Sequence, residues 1–260
     1  MYKKEALSEE FIRFYRLVKK LRVECPWDRE QTHESLRRCL LEETYEVLEA
    51  IDTRDEVELK KELGDLMLQV IFHSVLAEEA NNFNLFEVMS TVREKLIDRH
   101  PHVFGDVKVN GAEQVKANWE KLKKREGRTS ALDGVPAELP ALLKAYRIQE
   151  KASKVGFDWN APEPAFEKIR EELEELRFNV NNGKSVREIE DELGDLLFSI
   201  VNYSRFLKVN PEDALRGTIK KFSGRFRKIE SKAKSVGKEL DSMSLSEMDA
   251  LWQEVKSEEV

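Results

Sequence analysis

The pentapeptide ELGDL occurs twice in this chain, at 62–66 and again at 192–196. A long identical spacing of this kind means that whatever the first copy folds into, the second must fold into as well. The repeat extends well beyond five residues. LLEETYEVLEA at 40–50 matches IREELEELRF at 169–178, and both contain Glu-Glu-x-x-Glu. KLIDRH at 95–100 matches KFSGRF at 221–226, each with Lys and Arg four apart, and ANWEKLKKRE at 117–126 matches ALWQEVKSEE at 250–259. The tryptophans divide evenly, Trp27 and Trp119 against Trp159 and Trp252. Between the copies lies GRTSALDGVPAELP, whose Gly, Pro and small residues mark a linker. The expected organisation is a first domain over 1–126, a linker over 127–139 and a second domain over 140–260.

Each copy reads as helical. Charged residues make up 37% of the chain, and only 11 Gly and 7 Pro interrupt it, which favours long helices over sheet. The apolar spacing predicts helices over 8–22, 33–52, 56–80, 84–100 and 112–125, then over 139–154, 163–179, 185–208, 211–232 and 245–257. Asn210 before Pro211 and Ser244 have the character of helix starts, and Gly156 and Gly183 of helix stops. The expected fold class is all-α, with two tandem duplicated helical bundles.

The carboxylates decide what such bundles are for. Wound at 3.6 residues per turn, the helix carrying the first ELGDL is apolar nearly all round, from Leu63 to Leu76, the pattern expected of a buried helix. Its exceptions, Glu62, Asp65, Gln69 and His73, fall within roughly 80° of one another. The second copy repeats the stripe with Glu192, Asp195, Ser199, Asn202 and Tyr203. Carboxylates on an otherwise apolar helix demand a cation or a basic partner. The Glu-Glu-x-x-Glu helices supply a second wall. Glu43 and Glu46 flank a stripe of Leu40, Thr44, Val47, Leu48 and Ile51, with Glu42 further out; Glu172, Glu175 and Glu171 repeat that arrangement. Most Glu runs on helices are solvated faces. An ExxD on a neighbouring apolar helix, present twice, reverses that reading. Four converging carboxylates suit a hard cation, Mg²⁺ or Mn²⁺, better than zinc.

Lys95 with Arg99, and Lys221 with Arg225, share a helical face and are the donors a polyphosphate would need. Trp119 and Trp252 are candidates to stack on a base, though a core anchor is the commoner role for such a residue. Glu30 and His33 form an ExxH, but a di-iron bundle needs a second such motif and the other half has none. The sequence has no Gly-rich phosphate loop, no Ser/His/Asp set and no CxxC. Cys25 and Cys39 imply neither zinc nor a disulfide framework, and a net charge of −7 argues against stable nucleic-acid binding. With no apolar span and no signal core in the N-terminal segment, the expectation is a cytoplasmic protein that does not enter a membrane.

Taken together, CPWDREQTHESLRRCLLEETYEVLEAI, KKELGDLMLQVIFHS, DRHPHVFGD, VKANWEKLKKRE and KVGFDW resemble the MazG family of nucleoside triphosphate pyrophosphohydrolases, over nearly the whole chain. The resemblance implies the all-α NTP pyrophosphatase fold, Mg²⁺ dependence, a homodimer, and hydrolysis of NTPs and dNTPs to monophosphate and pyrophosphate in nucleotide-pool housecleaning. The family's metal motif lands on Glu42, Glu43, Glu46, Glu62 and Asp65 as the catalytic set, and again on Glu171, Glu172, Glu175, Glu192 and Asp195. It implies substrate contacts at Lys95, Arg99, Trp119, Glu171, Asn202, Lys221, Arg225 and Trp252. The second half departs from the family by carrying Ile219 where asparagine is common. The alternative reading is a non-catalytic nucleotide or Mg²⁺ sensor, but no motif carboxylate is missing from either half.

Overall fold

The computed structural model describes residues 4–111, 114, 115, 118 and 130–258, and Trp119 lies outside them. The described residues form helices and no strand. They divide into two compact units, Met1–Lys123 and Lys124–Val260.

In the first unit, α1 (Lys4–Glu24) and the short α2 (Pro26–Glu30) precede α3 (Arg37–Thr53), α4 (Glu56–Glu79), α5 (Leu85–Arg99) and α6 (Pro101–Phe104). Helix α3 begins four residues later than the apolar spacing suggests. Thr32 and Ser35 explain the delay: Thr32 N–H donates to Ser35 Oγ (2.9 Å) and Ser35 N–H to Thr32 Oγ1 (3.2 Å). This reciprocal turn takes up backbone donors that a helix would otherwise use. The α3–α4 hairpin turns at Arg54, which adopts the left-handed conformation (φ 57°), and Asp55 caps α4 by accepting from Val57 and Glu58 N–H. Val18, Leu36, Ile71, Phe72, Val75, Leu76 and Leu85 form the core, joining α1 and α4 to the start of α5.

The second unit runs through α7 (Ala141–Ser153), α8 (Pro162–Asn181), α9 (Val186–Phe206), α10 (Pro211–Ser235) and α11 (Leu245–Ser257). The stops and starts anticipated from sequence are in place. Gly156 and Gly183 take positive φ (90° and 62°), Asn210 caps α10, and Ser244 caps α11 in a reciprocal box with Glu247. Helix α9 packs against α8 and α7, and α10 against α11 and α7. Ala165, Val201, Ile229, Ala233 and Val255 are its buried apolar residues. The segment before α7 is tied to that helix, since buried Lys151 donates to Asp133 O (2.8 Å) and Lys144 to Ala137 O (3.1 Å).

Two helical faces differ from the periodicity reading. The first is the all-round burial expected of α4. Its C-terminal half is buried, but Leu63, Met67 and Val70 remain nearly half exposed, as do Leu193, Leu197 and Ile200 on α9. The second is the core stripe of α3. Leu40 and Ile51 are exposed, Ala50 is buried, and Glu43 is turned inward. In α8, Glu172 is 5% exposed whereas Leu173 is 50% exposed. Each of these helices is therefore rotated so that a carboxylate, rather than a leucine, meets the neighbouring helix.

Candidate metal centre

That rotation builds the site. In the first unit Glu43, from α3, meets Glu62 and Asp65, one turn apart on α4; each offers an oxygen within 4.8 Å of the others. In the second unit Glu172 of α8 meets Glu192 and Asp195 of α9 under the same limit. So the duplication seen in sequence is a duplication of one three-carboxylate cluster across a helical hairpin.

Concentrating negative charge in this way is unfavourable, and the carboxylates record it. Partial burial, then Asp65 and Glu46, hold the Glu43 carboxyl above the usual carboxylate range. Burial, then Glu46 and Asp65, do the same to Glu62. Glu46 thus stands beside both without belonging to the three-oxygen group. In the second unit burial, Glu172 and Glu192 raise Glu175 in the same manner. A set of hard oxygen donors that repel one another is the donor chemistry of a divalent-cation site. The residues present therefore fit such an ion.

The two clusters are not equally compensated. Lys168, one turn before Glu172 on α8, reaches Glu172 (2.7 Å) and Glu171 (2.6 Å), and these contacts raise its pKa. Asn179 donates to Glu192 (3.1 Å). The register that aligns Glu172 with Glu43 puts Cys39 opposite Lys168, so the first cluster has no equivalent cation at that position. The outer glutamates are held elsewhere: Glu42 by Arg38 (2.7 Å) and Glu171 by Lys168.

The basic pairs lie on other helices. Lys95 is exposed and Arg99 half-buried on α5; Lys221 is exposed and Arg225 half-buried on α10. The Arg225 guanidinium lies over the Trp252 ring at 5.7 Å, and Phe222 packs on the same indole, so two of the expected substrate residues meet each other. The polar stripe of α4 continues into a contact that sequence did not disclose. His73 Nδ1 and His33 Nδ1 are 2.8 Å apart with rings nearly parallel, and burial, then His33, hold His73 below its ordinary pKa.

A cavity of about 760 Å³ adjoins the second cluster, with Glu172, Asp195 and Lys168 in its wall. Asn202 lines it too, as do Gly156, Phe157, Asp158 and Trp159 of the KVGFDW segment. Arg205 organises that wall by donating to Asp158 Oδ1 (2.7 Å), Asn202 Oδ1 (3.0 Å) and Gln149 O (3.2 Å). Sequence reasoning passed over Lys168, Asp158 and Arg205. The i,i+4 spacing of Lys168 and Glu172 was a usable signal; the pairing of Arg205 with Asp158 across the chain was not.

An all-helical unit that presents three carboxylates from one hairpin, twice in one chain, defines a class of helical bundle with a donor set able to hold a cation. A family model of the MazG nucleotide pyrophosphohydrolase domain matches residues 31–104 and 161–229, covering both clusters. The chain is 48% identical over 235 residues to the nucleoside triphosphate pyrophosphohydrolase/pyrophosphatase MazG of Thermotoga maritima, spanning 89% of each. It is 40% identical over 241 residues to the nucleoside triphosphate pyrophosphohydrolase of Escherichia coli, spanning 91% of this chain and 92% of that one. A mazG-related protein of Thermotoga maritima, known from a crystal structure, aligns at 28% identity and a TM-score of 0.39, over 43% of this chain and 97% of that one. The chain belongs to the MazG nucleotide pyrophosphohydrolase family, and it carries the family's domain twice.

Proposed function

We propose that this enzyme hydrolyses nucleoside triphosphates, both NTPs and dNTPs, to the monophosphate and pyrophosphate, using Mg²⁺ or in its place Mn²⁺. The observation that supports this reading most directly is the pair of three-carboxylate clusters in a chain of this family. Glu43, Glu62 and Asp65 would hold the ion in the first unit, with Glu46 beside them; Glu172, Glu192 and Asp195 would hold it in the second, with Glu175 alongside. A bound divalent cation neutralises charge that develops on the phosphate oxygens during displacement.

The chain's own groups do the rest. A water oxygen attacks the α-phosphorus, the bond from that phosphorus to the α–β bridging oxygen breaks, and pyrophosphate leaves. Glu42 is the outer glutamate that the sequence reading prefers to orient that water and take its proton; because Arg38 holds it, Glu46, which stands beside Glu43 and Glu62, is the better placed of the two. Lys95 with Arg99, and Lys221 with Arg225, would receive the β and γ phosphates, and Trp252 would fix the direction of the Arg225 fork. Positioning and charge stabilisation suffice for phosphoryl displacement, so the scheme needs no covalent nucleophile.

The same reading includes a homodimer. Leu63, Met67 and Val70 on α4, and Leu193, Leu197 and Ile200 on α9, form apolar rows beside the carboxylates, and rows of that kind are characteristic of an interface. Among the described residues no helix is long and apolar enough to cross a membrane, and both cysteines are free thiols, which agrees with a cytoplasmic role in nucleotide-pool housecleaning.

The test is pyrophosphate release from the eight common NTPs and dNTPs with Mg²⁺, for wild type, Glu43→Ala and Glu172→Ala. The reading requires monophosphate and pyrophosphate in equal amounts, lost on chelation, with one or both variants impaired. Nucleotide binding without turnover of any substrate would instead favour a sensor.

A further inference from the structure

In the first unit two imidazoles meet across the hairpin that carries the carboxylates. His33 Nδ1 and His73 Nδ1 are 2.8 Å apart, the ring centres are 5.1 Å apart, and the ring planes differ by 6°. That centre-to-centre distance is as long as the Nδ1 separation allows, so both nitrogens lie on the line joining the ring centres. The rings therefore meet edge to edge, each Nδ1 facing the other, and one proton on that line makes a straight N–H···N hydrogen bond. His73 has no other. Its Nε2 is sealed from solvent and finds no partner among the described residues. A buried nitrogen left unpaired costs about 1–3 kcal/mol, so the imidazole is a less stable filling than an apolar ring and needs another reason to be there.

Its place in the hairpin supplies that reason. His33 belongs to the Thr32–Ser35 turn that sets the start of α3, and His73 lies on α4 about two turns beyond Asp65. Equal lengths of chain lead from His33 forward to Glu43 and from His73 back to the turn of α4 between Glu62 and Asp65. The register that pairs the histidines is thus the register that seats Glu43 against the other two carboxylates. Apolar contacts of the same hairpin, with Leu36, Cys39, Leu68 and Ile71 in one cluster, hold the helices together but are non-directional. The carboxylates push the other way when no ion is bound, since Glu43, Glu62 and Asp65 gather their oxygens within 4.8 Å of one another. A straight hydrogen bond resists that displacement, and fixing register is the best-attested use of a buried polar contact. The second unit has a different device. Pro162 and Tyr203 occupy the two corresponding positions, and Lys168 grips Glu172 directly at 2.7 Å.

We propose that His33 and His73 are positioning residues of the first carboxylate cluster: by sharing a proton they lock the register of α3 on α4 and hold Glu43 where a divalent cation can take all three carboxylates at once. The proposal rests on the reading of Glu43, Glu62 and Asp65 as a metal centre, and it adds the contact that keeps the centre assembled before the ion arrives. The rings act through Glu43 and are not ligands themselves.

The experiment titrates Mn²⁺ into the full-length protein, on a background in which Glu192→Gln and Asp195→Asn disable the second cluster. The temperature is one at which circular dichroism shows every variant folded. His33→Phe keeps a planar ring at this exposed position and removes the bond, while His33→Asn sets an amide nitrogen where Nδ1 stood and restores a donor. The dissociation constant should rise about tenfold or more in His33→Phe and return to within about threefold of the background in His33→Asn. A fall in stability alone cannot give that pattern, because all the proteins are folded during the titration. Equal affinities in the background and His33→Phe overturn the proposal, and so does a failure of His33→Asn to restore what His33→Phe loses. A second measurement needs no variant. Scalar coupling between the two Nδ1 nuclei, read by NMR on wild type carrying ¹⁵N-histidine in chelator, is expected across the shared proton, and its absence overturns the proposal. If the background protein binds no Mn²⁺ though the coupling is present, the metal reading fails and takes the positioning role with it. That outcome is distinct from one in which Mn²⁺ binds and ignores His33.

Discussion

Replacing Glu43 by glutamine should stabilise the metal-free protein and weaken its response to divalent cations. Glu43 and Asp65 present oxygens within 4.8 Å of each other, with Glu62 inside the same limit. Two unit charges at 4.8 Å repel by about 3.5 kcal/mol at an effective dielectric of 20, and by about 0.9 kcal/mol in water. Glu43 is half-buried rather than enclosed, so screening brings the relief expected from Glu43→Gln to about 1 kcal/mol. For a unit of this size that is roughly a 4 °C rise in melting temperature. A cation present at a hundred times its dissociation constant adds about 2.7 kcal/mol to the wild type, a larger shift in the same direction. The two curves should therefore cross: the variant melts higher in chelator, and the wild type melts higher in saturating Mg²⁺. Scanning calorimetry under both conditions reads this directly, taking as the first unit's transition the one that the substitution moves. A variant that melts lower in chelator, or that keeps the full Mg²⁺ shift, would refute the argument that these carboxylates repel one another and share an ion.

The second cluster should respond with the opposite sign. Glu172 is buried and paired with Lys168, so Glu172→Gln removes a charge-assisted hydrogen bond and should cost roughly 1–3 kcal/mol in chelator, measured by urea unfolding. The pH dependence of the metal-free protein follows from the raised carboxyls of Glu43, Glu62 and Glu175. A carboxyl raised in the folded state binds its proton more tightly than in the unfolded chain. Stability from this source should therefore grow as pH falls from neutrality toward 4.5, while cation affinity falls over the same window; melting and titration at pH 7, 6 and 5 check both. Glu247 supplies the contrary case. Lys238 and the Ser244 cap hold it at about 2, so its contribution is complete above 4.5 and lost as pH drops toward 2, a loss that Glu247→Gln should abolish. Finally, Trp252→Ala should raise KM for triphosphate more than it lowers kcat if its role is to hold Arg225.

Much of the fold was legible because its signals are local. The break at Arg54 and Asp55, the caps at Asn210 and Ser244, and the left-handed glycines 156 and 183 are each decided by residues a few positions apart. The carboxylate motifs were legible for the same reason, since their spacing survives winding into helices. What periodicity could not supply was rotation. Leu40 and Ile51 looked like core, yet the packed face of α3 runs through Glu43 and Ala50. Hydrophobic patterning assumes that a charged residue turns outward, and that assumption fails where carboxylates from two helices gather at the contact. The cavity was hidden for a different reason. Arg205, Asp158 and Gln149 come from separate elements, and nothing in their local sequence records that they meet.

The same comparison shows how a duplication can keep a site and change its character. Both copies retain the three clustered carboxylates, so the hairpin geometry that brings them together has been held fixed. Around that constant, the substitutions alter charge compensation and polarity. Lys168 stands where the first copy has Cys39, and it neutralises part of a cluster whose counterpart in the first copy has no ion pair among the described residues. His73, which pairs with His33 in the first unit, is replaced by Tyr203, whose ring packs on Phe166 instead. A cluster with an internal cation repels itself less and therefore attracts a second cation less, because Lys168 must give up part of its hold on Glu172 for the carboxylate to turn fully to an ion. If both clusters take a divalent cation, the first is the one whose stability should depend on it most. The second is the one whose wall of Arg205, Asp158 and Gln149 is already ordered around a cavity of about 760 Å³. Equal motif content in the two copies thus does not imply equal chemistry. The residues that differ between them lie beside the carboxylates, where they change charge and polarity without disturbing the hairpin.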